Sequence, residues 1–304
     1  MFGPLIALER PRSFAPRAQG LLRALSVTLF YSAVLVVANL LQVCTLLVWP
    51  FSRSLFVRAN RAIAREALTR LGGVAERLHR LQVISSGDAL PRTENAVVIA
   101  NHQTVIDVNC VFCLAWRHGR LGDLKWFAKA SVRHLPGIGW GLRFLEPVFV
   151  ARRWERDRDS IARVFAKMKQ DPAPFWLLMF SEGHRRRAEA MAESRARAAA
   201  EGRRPLEHLL PPRTRGFVAT IGALREHAQA VYDLTIGYPD GVPTLWDLQS
   251  GYVRRVHLHV RRFPLSDLPL DEPGLEAWLS QRWAEKDQLL AAFAADGRFP
   301  GEQR

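Results

Sequence analysis

Residues 95–107 read NAVVIANHQTVID: a short apolar run, an Asn-His pair, and an aspartate five residues after the histidine. Val97, Val98 and Ile99 have the β-branched character of a buried strand. Such a strand would deliver a base, His102, and an orienting carboxylate, Asp107, to the mouth of a pocket. Thr104-x-x-Asp107 also matches a capping box, which predicts a helix over residues 105–117. The two readings of Asp107 are compatible, because a side chain in the first helical turn points back toward the entering loop. Asp107 can then accept from one ring nitrogen of His102 and leave the other to take a proton from an alcohol.

Upstream of this stretch, residues 81–84 and 96–100 are short β-rich runs separated by the turn formers Ser85, Ser86, Gly87, Asp88 and Pro91, so an α/β domain is expected to start here. Residues 1–23 are basic, with Arg10, Arg12, Arg17 and Arg23, and then the charges stop: residues 24–52 contain no Asp, Glu, Lys or Arg. About 20 apolar residues span a bilayer, so the run is long enough to be inserted. It is too long for a signal peptide, and Pro50 and Phe51 do not fit a cleavage site. Arg53, Arg58, Arg61 and Arg65 follow it as closely as the first arginine group precedes it, so basic flanks set no orientation.

Two pictures remain for the apolar run, a single tilted span or a re-entrant helical pair bent near Asn39 with both ends on the cytoplasmic side. The second is favoured because both basic flanks can then rest on anionic lipid. Residues 54–80 carry Leu55, Ala59, Ile63, Ala67 and Leu71 at helical spacing among arginines. That pattern is an amphipathic helix, expected to end at Gly72-Gly73.

With 43 Lys+Arg against 29 Asp+Glu, the net charge of +14 calls for an anionic partner: nucleic acid, lipid headgroups or a phosphorylated substrate. Cys44, Cys110 and Cys113 are too few and too apolar in context for a disulfide framework, and Cys110-x-x-Cys113 lacks the second ligand pair of a zinc site, so all three read as packing residues. Residues 186–204, rich in Ala, Arg and Glu, read as an exposed helical insertion.

Three further blocks follow in order. Phe144-Leu-Glu-Pro-Val-Phe-Val-Ala-Arg152 ends a β-rich run in a guanidinium, a rigid fork for a phosphate. Phe180-Ser181-Glu182-Gly183-His184-Arg185 follows a strand-like run, and Gly183 would allow a tight turn close to a ligand. The tail carries Leu210-Pro-Pro-Arg-Thr-Arg-Gly-Phe217, Ala230-Val-Tyr-Asp-Leu-Thr-Ile236 and Phe299-Pro-Gly-Glu-Gln303. Together with Asn101-His102-(four residues)-Asp107, these blocks resemble the glycerolipid acyltransferases, the 1-acylglycerol-3-phosphate O-acyltransferases. The tail is similar to the branch containing lysocardiolipin and lysophospholipid acyltransferases. Ser181 stands where the family pattern has proline, and His184 where it has threonine.

The resemblance implies a mixed central sheet flanked by helices over residues 81–304, behind an N-terminal membrane-anchoring helical region over residues 1–80. It implies transfer of a fatty acyl group from acyl-CoA or acyl carrier protein to the free hydroxyl of a lysophospholipid such as lysophosphatidic acid, at the cytoplasmic side of a membrane. His102 would be the base and Asp107 its orienting partner. Lys129, Arg152, Glu182, Gly183 and Arg185 would hold the acceptor, with a backbone amide near Gly183 receiving the oxyanion. Lys125 and Lys129, four apart, would share a face if helical. No metal or prosthetic group is implied. Two other readings compete: a membrane-tethered basic regulatory or nucleic-acid-binding protein, and a serine hydrolase pairing Ser181 with His102.

Overall fold

The computed structural model describes residues 7–78, 81–134, 139, 141, 148–150, 154–170 and 173–302. Seven strands form one sheet in the order β1-β7-β6-β2-β5-β3-β4: β1 Gln82–Gly87, β2 Ala96–Ala100, β3 Leu124–Lys129, β4 Val148–Val150, β5 Trp176–Phe180, β6 Ala230–Gly237 and β7 Arg255–Pro264. β2 lies at the centre, parallel to both neighbours, with Ala96 opposite Trp176 on one side and Ala230 on the other. Among the described residues only β6 and β7 pair antiparallel, so the sheet is mixed, as expected. Helices cover both faces, which is why β2 and β6 are buried at every position.

Alternation along the central strands sorts the core into two layers. Val98, Leu178, Tyr232 and Leu234 face α3 (Asp107–Arg117) through Ile106, Cys110, Val111 and Leu114. Val97, Ile99, Leu177 and Val231 face Phe165, Phe217, Ile221, Leu279 and Trp283, which come from the helices Trp154–Gln170, Thr214–Leu224 and Glu272–Asp296. This second layer contains an ion pair: Lys286 Nζ lies 2.5 Å from Asp233 Oδ1, with both side chains fully buried. Lys286 also donates to the carbonyl of Leu234 at 2.7 Å, and Arg261 contacts Asp233 Oδ2 at 2.6 Å. The last long helix is thereby keyed to the middle of β6.

Several sequence expectations shift. The apolar run forms one continuous helix, α1 (Phe14–Cys44), that passes straight through Asn39, whose amide donates to the carbonyl of Leu35 at 2.6 Å within the helix. The reversal falls instead after Thr45–Leu47, where Pro50 cannot continue a helix. α2 (Arg53–Leu78) then runs back, with Asn60 Nδ2 donating to Thr45 Oγ1 and Tyr31 Oη to the carbonyl of Leu71, the register of an antiparallel hairpin. Gly72 and Gly73 lie inside α2 rather than ending it, since a glycine costs a helix only about 1 kcal/mol against alanine. β1 extends through Ser85, Ser86 and Gly87 because β7 supplies a partner for each of them. Lys125 and Lys129 fall on strand β3, not on a helix.

Among the described residues, Phe14–Leu47 is the one helical run long and apolar enough to cross a membrane. Leu22, Leu29, Leu40, Leu47, Trp49 and Phe51 are exposed along it and its turn. Cys110 and Cys113 are buried as packing residues, whereas Cys44 is exposed on α1.

Lys286→Met leaves Asp233 facing Arg261 alone. A loss of about 3 kcal/mol, the low end for a broken buried pair, is expected in denaturant unfolding of the detergent-solubilised protein.

Candidate active site

The chain leaves the sheet at the carboxyl end of β2, where Asn101, fully buried, makes a two-point clamp on β6. Its Nδ2 donates to the carbonyl of Ile236 at 3.0 Å and its Oδ1 accepts from the Ile236 amide at 2.8 Å. The clamp replaces the ladder hydrogen bonds that β2 would otherwise lose as it turns away. His102 follows directly. Its N–H donates to Glu182 Oε1 at 2.7 Å, its carbonyl accepts from the Arg186 amide at 2.9 Å, and its ring stacks on Phe180 with centroids 4.1 Å apart. Both backbone groups and the ring plane are therefore fixed by the turn after β5.

His102 Nδ1 sits 3.0 Å from Asp107 Oδ2, with 12% of the histidine side chain exposed and none of the aspartate's. The Asp107 carboxylate is saturated. Oδ2 also accepts the amides of Gln103 at 2.6 Å and Thr104 at 2.9 Å, while Oδ1 accepts the hydroxyl of Tyr238 at 2.7 Å. A carboxylate that only accepts places the imidazole proton on Nδ1 and the lone pair on Nε2.

The capping box is half formed. The Asp107 side chain accepts from Thr104 N–H, but the Thr104 hydroxyl turns away to donate to the carbonyl of Pro243 at 2.6 Å. In consequence the helix begins at Asp107 rather than Val105.

Glu182 is buried, with Oε1 taken by the amide of His102 and Oε2 by that of Leu210 at 3.1 Å. It points into the wall rather than into open space, tying the histidine loop to the tail segment. Burial pushes its carboxyl up to about 8, against the pull of the two amides. Gly183 has φ +77, the left-handed region that favours glycine, and a Cβ there would also meet Arg213 Nε at 2.5 Å, so the arginine side chain would have to shift. Its own N–H donates to the carbonyl of Phe180 at 3.0 Å, so that amide is committed to the turn and not presented to an oxyanion. Arg185 is exposed on the same turn. Ser181 Oγ is buried with no hydrogen-bond partner among the described residues, and no bond to His102 is formed. Lys129 ends β3, and Arg152 lies outside the described residues.

Tyr238, the Leu210 amide and the use of Asn101 as a clamp were not assigned from sequence. The one available signal for Tyr238 was its place just past the carboxyl end of a buried strand, where open α/β sheets form their sites.

The raised carboxyl of Glu182 has a calculable sign. A group whose folded pKa lies above its unfolded value favours the native state most below the unfolded pKa, and that contribution is lost as pH rises from about 4.5 through about 8. Glu182→Gln should remove this slope from the pH dependence of the unfolding midpoint, and a variant with the wild-type slope would contradict it. Gly183→Ala should cost more than about 1 kcal/mol in the same measurement, for its positive φ alone.

Comparison with known proteins bears on this arrangement. The family model described as Acyltransferase matches residues 82–234, and that described as Acyltransferase C-terminus matches residues 248–304. The 1-acyl-sn-glycerol-3-phosphate acyltransferase gamma of Homo sapiens is 36% identical over 272 residues, which cover 88% of this chain and 72% of that protein. The delta protein of Bos taurus is 35% identical over 269 residues, covering 87% and 71%. The crystal structure of the 1-acyl-sn-glycerophosphate acyltransferase PlsC of Thermotoga maritima has a similar fold, with a TM-score of 0.55 at 17% identity over 90% of this chain and 98% of that one. The chain belongs to the glycerolipid acyltransferases, the family of 1-acylglycerol-3-phosphate O-acyltransferases whose sequence blocks surround its part-exposed histidine and buried aspartate.

Proposed function

We propose that the chain transfers a fatty acyl group from an acyl thioester, acyl-CoA or acyl carrier protein, to the free hydroxyl of a lysophospholipid such as lysophosphatidic acid. The observation that carries this reading is the 3.0 Å contact of His102 Nδ1 with a carboxylate held by three other donors. With Nδ1 engaged, Nε2 is the nitrogen that takes the acceptor's hydroxyl proton. The acceptor oxygen then bonds to the thioester carbonyl carbon and forms a tetrahedral intermediate. That intermediate collapses with cleavage of the C–S bond, and the thiolate leaves with the proton returned by the imidazolium. Asp107 fixes the tautomer and stabilises the imidazolium between the two transfers. No enzyme nucleophile is required, because the lipid hydroxyl fills that role, and the unbonded Ser181 agrees with this.

In this reading Arg185, together with Lys129 and Arg152, meets the acceptor's phosphate, while Glu182 acts on His102 from behind. The names of the Homo sapiens and Bos taurus relatives support a 1-acyl-glycerol-3-phosphate as acceptor.

The α1–α2 hairpin is proposed as the membrane anchor. Its exposed leucines, Trp49 and Phe51 would lie in lipid and its arginines against anionic headgroups. α1 is roughly 46 Å long at 1.5 Å per residue, longer than a hydrocarbon core of about 30 Å. α2 runs back along α1, which supports a return of both ends to one side; our reading makes that side, with the catalytic domain, the cytoplasmic one.

His102→Ala should lower transfer from labelled acyl-CoA to lysophosphatidic acid by about 10²- to 10⁴-fold, the range for general-base catalysis, while Ser181→Ala stays near wild type. Full activity in His102→Ala would overturn the reading, and loss confined to Ser181→Ala would favour a serine mechanism.

A further inference from the structure

The Asp107 carboxylate draws its four donors unevenly. Oδ2 takes three, all from the segment that carries it: the His102 ring and the amides of Gln103 and Thr104. Oδ1 takes the hydroxyl of Tyr238, 131 positions away. Oδ2 lies off the Cβ–Cγ bond, so its three donors already resist rotation of the carboxylate; the Tyr238 hydroxyl adds the one restraint on Oδ1, and it is the one that comes from outside the segment. Tyr238 is itself held. It follows β6 directly and is 8% exposed.

The loop it opens is fastened at several points. The Pro243 carbonyl accepts from Thr104 Oγ1, and Val242 bridges Ala7 and accepts the Leu8 amide at 3.2 Å. Thr244 and Asp247 form a complete capping box, and Arg10 Nε reaches Asp247 Oδ1 at 2.6 Å. Burial and the nearby Asp107 charge push the Tyr238 phenol well above its ordinary range, so the hydroxyl stays a donor at any working pH.

We propose that Tyr238 is a positioning residue for the reaction: its hydroxyl locks the plane of the Asp107 carboxylate, and through it the direction of His102 Nε2. This rests on the base role given to His102 above. The tyrosine does not touch substrate. It also moderates charge, because a donor on Oδ1 withdraws negative charge from the carboxylate that faces the imidazolium.

The groups that surround the pair are Tyr238 and Cys110 on the Asp107 side, the latter with Sγ 3.5 Å from the phenol oxygen. Glu182 faces it at the His102 amide and Arg186 at the His102 carbonyl.

The test is steady-state transfer by the full-length protein in detergent, with labelled acyl-CoA and lysophosphatidic acid. Tyr238→Phe keeps the ring and removes only the oxygen. Its kcat should fall about tenfold, as for one hydrogen bond to a charged group, with KM for both substrates unchanged. The acid limb of its pH profile should move to higher pH, since a carboxylate relieved of one donor holds the imidazolium more firmly. In an Asp107→Asn background the same change should add little, because the tyrosine acts through that carboxylate. Cys110→Ala, which removes the other neighbour of the hydroxyl, should leave kcat near wild type and so separates packing from the hydrogen bond.

A wild-type kcat in Tyr238→Phe, or a fall in kcat with an unmoved pH profile and full additivity with Asp107→Asn, overturns the proposal. The His102→Ala control keeps the two claims apart. If it is inactive while Tyr238→Phe is normal, only the tyrosine's role fails; if it is fully active, the base reading itself fails.

Discussion

A carboxylate fully removed from water must be given donors, and much of this structure can be read as the means of supplying them to Asp107. Leaving a buried charge unpaired costs several kcal/mol, so the segment from residue 101 to 107 can adopt its shape only with its donors in place. Two are local amides, one is the histidine ring, and one comes from the far end of β6. The Asn101 clamp on Ile236 and the bond from Thr104 to Pro243 serve the same junction, holding the β2 exit against the β6 exit. The geometry of the His102–Asp107 pair and the central pairing of the sheet are therefore one arrangement.

The same rule explains where the other buried carboxyl groups sit. Glu182 accepts from two backbone amides on different segments, and Asp233 faces Lys286 and Arg261. Each joins elements distant in sequence, and each lies on or against a central strand. Arginines and lysines of a chain with a net charge of +14 are thus used in two ways. A few neutralise interior carboxylates, and others, such as Arg185, are exposed, where they can meet anionic groups.

The local part of this design was legible in the sequence. The β-branched run of β2, the His-to-Asp spacing and the glycine of the turn after β5 are short-range patterns, and the structure keeps each of them. The mixed sheet was reached through resemblance, since no short pattern reveals that β6 and β7 alone run antiparallel. What could not be read depends on contacts across long separations. Glu182 looks like a surface grip in its motif, and only the placement of His102 and Leu210 reveals that it faces inward. Asn39 looks like a break in an apolar run, yet its amide is satisfied one turn back, and the proline eleven residues later makes the reversal. Tyr238 lies one residue beyond the block Ala230-Val-Tyr-Asp-Leu-Thr-Ile236 and Gly237, outside any motif, because its partner is 131 positions away.

The N-terminal arm ahead of α1 has a bearing on how the protein can be divided. Ala7 and Leu8 lie along Val242, Arg10 meets Asp247, and Tyr252 packs on Gly20 of the apolar helix. In chain order the arm stands on the opposite side of the apolar hairpin from the sheet, yet in space it lies along the loop that follows β6 and carries Tyr238. The hairpin is therefore an internal loop of the enzyme rather than a detachable handle. A soluble fragment made by starting the chain after the hairpin would be missing part of the scaffold beneath the His102–Asp107 pair. Replacing the hairpin with a short polar linker, so that the arm stays joined, respects the way the molecule is built.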